Sequence, residues 1–149
     1  MSAVVDANVV LSLAIPFPYS QQAMQLMEMW AESSETLSAP LLLEYEITSA
    51  LRKLIYLGDF SREEAFSTLT NILALRIHSY RPTAEHHQRA LEWANFLGQS
   101  KAYDAQYLAL AESLRAEFWT ADRRLVRGAQ EAGAQWVHWI GEVNDQEDA

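Results

Sequence analysis

Short apolar runs alternate along the chain with longer segments in which apolar residues recur every three or four positions. The short runs are bounded by turn-forming residues, which is typical of buried strands, whereas the longer segments have the period of amphipathic helices. Five strands are predicted, at residues 3–6, 36–39, 76–80, 117–120 and 135–140. A short helix before Pro16 follows the first strand, and longer helices are predicted at residues 21–33, 40–58, 61–75, 83–98, 101–115 and 122–132.

The alternation of strands and helices predicts how the sheet is arranged. Neighbouring parallel strands need a crossover of about a dozen residues, and the intervening helices supply it. We therefore expect an α/β fold, a three-layer α/β/α sandwich around a parallel sheet of about five strands. No repeat or long linker interrupts the chain, so residues 1–141 are expected to form a single domain and residues 142–149 a disordered acidic tail.

Composition narrows the classes of function. Half of the 149 residues are hydrophobic, which is enough to bury a continuous core. The chain contains no Cys, which excludes disulfides, thiolate nucleophiles and zinc–thiolate sites. A formal net charge of −9 argues against a protein that coats nucleic acid non-specifically. Since neither a basic leader nor a long apolar run is found, we expect a cytoplasmic protein without a membrane span.

Two acids follow predicted strands at the edge of the sheet where ligands bind. Asp6 ends the first strand, and Asp122 comes shortly after the fourth. Ligands of open parallel sheets bind beyond the carboxyl ends of the strands. Each acid also has a purely structural explanation, because Asp6 with Asn8 can form an Asx turn and Asp122 can cap the next helix. Position alone leaves both interpretations open.

A third acid, Glu46, lies at the margin of the apolar stripe of the helix predicted at 40–58. At about 100° per residue, Glu44 projects away from that stripe, as a surface residue should, whereas Glu46 does not. A carboxylate at the margin needs a cation or a hydrogen bond to offset its desolvation. Pairing with Lys53 is one explanation, and a shared ligand is another. Asp104 presents a similar choice, because it lies in the first turn of its helix, where the helix dipole favours an anion.

Convergence of these carboxylates would have a chemical consequence. Acids held close together raise one another's pKa and cannot all remain ionised without a cation. Carboxylate oxygens suit Mg²⁺, with Mn²⁺ as the alternative ion, and zinc is less favoured because there is no Cys. Such a site can activate water and stabilise the charge on a phosphodiester. The sequence therefore predicts one catalytic metal site made of Asp6, Glu46, Asp104 and Asp122.

Four segments together resemble the motifs of the PIN-domain family. They are VVDANVVLSL, EITSALRKL, AYDAQYLALAESL and FWTADRRL, and their order and spacing fit the family. The resemblance spans nearly the whole chain and implies that the four acids bind the metal and carry catalysis. It also implies that two further residues lie beside the metal or its waters, Asn8 and Thr120.

The short bacterial form of this family is similar to the toxin half of VapBC toxin–antitoxin pairs. That likeness implies a magnesium-dependent endoribonuclease that hydrolyses RNA, forms a homodimer and is held inactive by an antitoxin. Lys101 and Arg123 lie close in sequence to the acids and are candidates for phosphate contacts, although solvated surface residues explain them equally well. Two alternatives remain, a PIN-fold scaffold that cleaves nothing and a solitary nuclease without an antitoxin. A phosphatase of the haloacid-dehalogenase kind is disfavoured, because it requires a second Asp where the segment after Asp6 has Asn8.

Overall fold

The computed structural model describes residues 2–146, in which five strands form one parallel sheet. The strands are β1 (Ser2–Val5), β2 (Thr36–Pro40), β3 (Ile77–Tyr80), β4 (Glu117–Thr120) and β5 (Val137–Trp139). Their order across the sheet is β3-β2-β1-β4-β5, and every neighbouring pair is parallel. The predicted α/β fold with a parallel sheet of five strands is confirmed.

Helices cover both faces of this sheet. Within the described range they are α1 (Ala7–Ala14), α2 (Ser20–Glu32), α3 (Leu42–Tyr56), α4 (Arg62–Leu73), α5 (Ala84–Leu97), α6 (Tyr103–Leu114) and α7 (Arg123–Glu131). Consecutive side chains of a strand point to opposite faces, yet Ala3, Val4 and Val5 are each no more than 1% exposed. Burial on both sides of β1 identifies it as a central strand of a three-layer sandwich. None of the described helices is long and apolar enough to cross a membrane.

Local sequence signals set several helix ends. Ser61 accepts a hydrogen bond from the Glu64 backbone N–H at 3.0 Å, and the Glu64 carboxylate accepts one from the Ser61 N–H at 3.3 Å. These two bonds form a capping box at the start of α4. Thr83 caps α5 in a similar way, and Gly98 ends that helix with φ of 66°, a conformation that glycine adopts without steric cost.

Besides shifts of one or two residues at several element ends, two regions differ from the sequence-based expectation. Pro40 is the last residue of β2, opposite Tyr80, rather than part of the next helix, because the end of a strand does not require the N–H that proline lacks. Residues 142–146 were expected to belong to a disordered tail, whereas Ile140–Gln146 form a 3₁₀ helix and Val143 packs into the hydrophobic core. The rest of the expected tail, residues 147–149, lies outside the described residues.

The neighbouring strands β1 and β4 position the site. The chain moves from β1 through β2 to β3 on one side of the sheet, and β4 and β5 lie on the other side, so the crossovers reverse direction between β1 and β4. Val5 pairs with Trp119, and the Asp6 N–H donates to the Trp119 carbonyl at 3.0 Å. Asp6 and Thr120 therefore leave the sheet side by side. A reversal of this kind opens a ligand-binding crevice at the carboxyl edge.

Candidate active site

Asp6 is a buried carboxylate at the junction between β1 and α1. Its side chain is only 6% exposed, and the Thr120 hydroxyl donates a hydrogen bond to its Oδ2 at 2.8 Å. The pKa of Asp6 is raised from 3.8 to about 7, mainly by burial and against the lowering effect of that hydrogen bond. The negative charges of Glu46 and Asp104 contribute to this rise. Asp6 is therefore electrostatically coupled to two of the other three predicted acids.

Thr120 and Asn8 fix the position of Asp6 through a hydrogen-bond network. Thr120 Oγ1 accepts from Asn8 Nδ2 at 3.2 Å and from the Asp122 N–H at 3.1 Å, and its single O–H is left for Asp6. Asn8 Oδ1 accepts from the Ala121 N–H at 3.0 Å. The network ties the end of β1 to the end of β4. Asn8 and Thr120 therefore both support the arrangement around Asp6. That they lie beside a metal or its waters stays a prediction.

Glu46 lies on α3 and is half-buried, whereas its neighbour Glu44 is exposed, as the helical periodicity predicted. The Tyr107 hydroxyl donates to Glu46 Oε1 at 2.6 Å. Burial raises the pKa of Glu46, the hydrogen bond from Tyr107 lowers it, and the charge of Asp104 raises it again. Lys53 is exposed, and no ion pair joins it to Glu46 in the described part of the chain. Glu46 is therefore hydrogen-bonded to Tyr107 rather than paired with Lys53.

Asp104 lies in the first turn of α6 and is half-buried. Gln99 Nε2 donates to its Oδ2 at 3.2 Å. Burial is the main reason that the pKa of Asp104 is raised, and the charge of Asp122 contributes in the same direction. Glu46 and Asp104 line a common cleft, together with Gln99, Lys101 and further residues of the loop before α6. We call this space the acidic cleft.

Asp122 is exposed and caps α7, as the structural explanation of this residue predicted. Its Oδ1 accepts from the Arg124 N–H at 3.1 Å and from the Leu125 N–H at 3.2 Å. Its charge nevertheless acts on Asp104. Capping and membership of an acidic site are therefore compatible in one side chain, because one carboxylate oxygen accepts both cap bonds.

The four acids lack a cationic partner within the part of the chain that the structure describes. Among residues 2–146, no Lys, Arg or His forms an ion pair with any of the four acids. The same range contains no group of three or more His, Asp or Glu side chains already close enough to hold one metal ion. The fold thus brings the acids into electrostatic contact without placing them at ligand distance. The metal-ligand and catalytic roles of these acids remain predictions.

The two basic residues predicted to contact phosphate have different surroundings. Lys101 is exposed and lines the acidic cleft beside Glu46 and Asp104. The guanidinium of Arg123 lies over the Trp139 ring, 4.6 Å from its centroid, in a cation–π contact. Lys101 is therefore the better placed of the two for a phosphate at the acids, and neither role is established.

Tyr107 and Gln99 hold two of the acids and were not predicted from the sequence to do so. Tyr107 lies three positions after Asp104, on the buried side of α6. The signal available was its hydroxyl group, since a buried tyrosine usually finds a hydrogen-bond partner. The identity of that partner depends on how the fold brings α6 within hydrogen-bonding distance of α3, which local sequence does not reveal.

A parallel α/β sandwich with an acidic cleft at the switch point of its sheet is the class of protein that the fold and site define. The family model described as PIN domain matches residues 4–139, and the chain belongs to this family. The resemblance found in the four sequence motifs is thereby confirmed.

Similar proteins include one characterised relative and several solved structures. The chain is 34% identical over 129 residues to Ribonuclease VapC3 of Pyrobaculum aerophilum, which covers 84% of this chain and 92% of that protein. The fold of this chain is similar to that of a solved Pyrobaculum aerophilum protein, with a TM-score of 0.70, 22% identity and full coverage of both chains (100% and 100%). It is also similar to a chain of a toxin–antitoxin complex from Klebsiella pneumoniae, with a TM-score of 0.65, 18% identity and coverage of 93% and 97%.

Proposed function

We propose that this protein is a metal-dependent endoribonuclease that hydrolyses RNA phosphodiester bonds with Mg²⁺, or alternatively Mn²⁺. The observation that carries the proposal is Asp6, a buried acid with a pKa of about 7 that is raised in part by Glu46 and Asp104. Membership of the PIN-domain family and the similarity to a protein named as a ribonuclease support it. RNA as the substrate rests on that similarity alone, since nothing in the cleft is specific for a 2′-hydroxyl.

The chemistry of the side chains fits a hard divalent cation. Carboxylate oxygens are the ligands that Mg²⁺ and Mn²⁺ prefer, and the acids have no positive partner among the described residues. A cation would relieve the mutual repulsion of Asp6, Glu46 and Asp104. Binding would require rotation of exposed and half-buried side chains, because the acids do not yet stand at ligand distance. When bound, the ion would polarise the phosphate and lower the pKa of a water molecule.

Residues around the acids would position the carboxylates and contact the substrate. Thr120 holds Asp6 in place with a hydrogen bond of 2.8 Å, and Tyr107 holds Glu46 with one of 2.6 Å. Both donors stabilise the ionised carboxylates, which are the forms that a metal requires. Lys101 lines the cleft and would contact a phosphate of the bound RNA with its positively charged ammonium group. Asp122 would add negative charge beside Asp104 while it caps α7.

We further propose that the protein is the toxin of a toxin–antitoxin pair and acts as a homodimer. The similarity to a chain of a toxin–antitoxin complex supports a protein partner. The net charge of −9 suits an antitoxin that inserts Arg or Lys near the acids. A small gene for a DNA-binding protein next to this one would support the pair, and co-purification of its product with this chain would test it. A nuclease that purifies alone and is not inhibited by any neighbouring product would instead be solitary.

Cleavage of a panel of tRNA, mRNA, rRNA fragments and single-stranded DNA, with and without Mg²⁺, tests the enzymatic proposal. Asp6→Asn and Asp104→Asn should abolish cleavage while leaving the fold intact by circular dichroism. Glu46→Gln should also lose activity, and its matched control is Glu44→Gln, an exposed acid on the same helix. Undiminished cleavage by the purified Asp6→Asn and Asp104→Asn proteins would refute the assignment.

Metal binding separates the enzyme from a scaffold that retains the fold. Calorimetric titration at neutral pH should detect Mg²⁺ or Mn²⁺ binding to the native protein and a loss of that binding in Asp6→Asn. Complete absence of binding would favour the scaffold, because metal coordination would then not explain why these carboxylates lie near one another.

A further inference from the structure

An apolar groove lies directly beside the acidic cleft. It is formed at the starts of α3 and α6 and by the chain before them, and it holds a space of about 510 Å³. Two tyrosines, Tyr45 and Tyr103, form part of its wall, together with Leu41, Pro82 and Lys101. Tyr103 and Lys101 also line the acidic cleft, so the two spaces are adjacent and share part of their walls. We call this space the tyrosine groove.

The two tyrosines are placed by the same turns of helix that place two of the acids. Tyr45 immediately precedes Glu46 on α3, and Tyr103 immediately precedes Asp104 on α6. Adjacent residues of a helix point about 100° apart, so each aromatic ring is displaced to the side of its acid. Tyr45 is 66% exposed and Tyr103 is 59% exposed. Both rings are therefore open to a ligand that also reaches the acids.

The charge of the tyrosine groove differs from that of the protein as a whole. The chain has a net charge of −9, yet none of the residues that line the groove is Asp or Glu. Lys101 is its charged residue and lies where the groove joins the acidic cleft. Gln106 and His87 contribute polar groups and are hydrogen-bonded to each other at 2.9 Å. The groove thus combines aromatic faces, one positive charge and a polar pair capable of hydrogen bonding.

We infer that the tyrosine groove binds a nucleobase of single-stranded RNA next to the phosphate that lies in the acidic cleft. Tyr45 and Tyr103 offer stacking surfaces to the base, since every base has a face that stacks on an aromatic ring. Lys101 is placed to contact the phosphate that joins this nucleotide to the next one. Gln106 and His87 can hydrogen-bond to the edge of the base and favour some bases over others. The inference rests on the proposed ribonuclease function and specifies where the substrate is read.

The charge of the groove and its position beside the acidic cleft favour RNA over a protein as the occupant. A second copy of this chain or an apolar peptide would also cover the rings. Neither occupant would gain from a groove that lacks carboxylates on a strongly acidic protein. A polyanion such as RNA would gain, because carboxylates repel its phosphates. The shared wall at Lys101 and Tyr103 places the neighbouring nucleotide of a bound strand in this groove.

Binding of short single-stranded RNA, measured by fluorescence anisotropy on the Asp6→Asn background to prevent cleavage, tests the inference. The probes are oligonucleotides of one sequence that lack the base at one position at a time. Removal of one particular base should weaken binding at least about fivefold, as expected for loss of a stacked base. Tyr45→Ala and Tyr103→Ala should weaken binding of the intact probe by a similar factor and make the protein insensitive to that base. Tyr45→Phe should retain binding, because the ring is preserved.

Tyr56→Ala is the matched control, since Tyr56 is an exposed tyrosine of the same helix outside the groove. Equal affinities for Tyr45→Ala and Tyr56→Ala, or no dependence on any single base, would overturn the inference, as would a failure of the parent protein to bind any probe. The oligomeric state of Tyr45→Ala must also be measured by light scattering. Conversion of a dimer to a monomer would show that the groove is an interface between copies, and the base-binding site would be abandoned.

The inference and the proposed function can fail separately. Base-dependent binding through Tyr45 and Tyr103 without any metal-dependent cleavage by the native protein would support the groove and refute the nuclease. Cleavage that is abolished in Asp6→Asn but unchanged in kcat/KM by Tyr45→Ala and Tyr103→Ala would support the nuclease and refute the groove.

Discussion

Replacement of Asp6 by Asn should make the metal-free protein more stable near neutral pH, although it removes a predicted catalytic group. Asn is nearly isosteric with a protonated Asp, and its carbonyl oxygen can still accept the hydrogen bond from Thr120. What the substitution removes is the charge that forms when Asp6 loses its proton in a buried site. Burial and the charges of Glu46 and Asp104 disfavour that charge.

The magnitude follows from the pKa of Asp6 in the two states. The folded protein holds the proton more tightly than the unfolded chain, because its pKa is about 7 and the ordinary value is 3.8. Stability is therefore fully present below the lower value and is lost as the pH rises through the upper one. At about 1.4 kcal/mol per pH unit, the gap between the two values corresponds to about 4 kcal/mol. That is a large part of the stability of a typical domain, about 5–15 kcal/mol.

Urea unfolding of the native protein and Asp6→Asn, in the presence of a chelator, measures this effect between about pH 4 and about pH 8. At the acidic end the two proteins should have similar free energies of unfolding. At the basic end Asp6→Asn should be the more stable, by up to about 4 kcal/mol. Glu44→Gln removes an exposed acid from α3 and should follow the native protein at every pH.

Parallel curves for the native protein and Asp6→Asn across the whole pH range would refute the reasoning. That result would mean that Asp6 ionises in the folded protein as readily as in the unfolded chain. The acids would then be stabilised by some contact that offsets their burial. A weaker difference that disappears in high salt would indicate instead that repulsion between exposed charges, rather than burial, is the main cause.

Four further outcomes are expected. Asp122→Ala should lower the free energy of unfolding in urea by about 1 kcal/mol, whereas Asp122→Asn keeps the cap of α7 and should stay within a few tenths. If both variants also lose cleavage, Asp122 has a role beyond the cap. Tyr107→Phe should lose about 1–3 kcal/mol in the same assay, because Glu46 then loses the hydrogen bond that the buried Tyr107 hydroxyl donates. Mg²⁺ should raise the Tm of the native protein near neutral pH but not that of Asp6→Asn, as measured by scanning calorimetry. Ser61→Ala should cost about 1 kcal/mol through the capping box of α4 and leave cleavage unchanged.

Features that depend on short sequence separations could be predicted from the sequence. The outward direction of Glu44 and the marginal position of Glu46 follow from the period of one helix, and the structure bears out both. The cap at Asp122 depends on the backbone of the residues two and three positions after it. The order of strands and helices follows from their alternation, because parallel strands require long crossovers.

Contacts between distant segments could not be predicted in the same way. Thr120 and Asp6 are 114 positions apart, and Tyr107 and Glu46 are 61 positions apart. Each pair meets only because the sheet order places β4 beside β1 and because α6 packs near α3. The burial of Val143 could not be predicted for a related reason, since it depends on packing that the polar neighbours of Val143 conceal in sequence.

The conflict between a stable fold and an acidic cleft accounts for the detailed arrangement around Asp6. A protein selected only for stability would replace Asp6 by Asn, which makes the same bond to Thr120 without a buried charge. The chain has Asp6 at this position instead. Thr120 donates its only O–H to Asp6 and accepts hydrogen bonds from Asn8 and from the Asp122 N–H. Tyr107 donates to Glu46 in the same manner. Donors of this kind favour the ionised carboxylates without neutralising them. That combination suits the divalent cation that we propose for this site, and no ion pair joins the four acids to a Lys, Arg or His among the described residues.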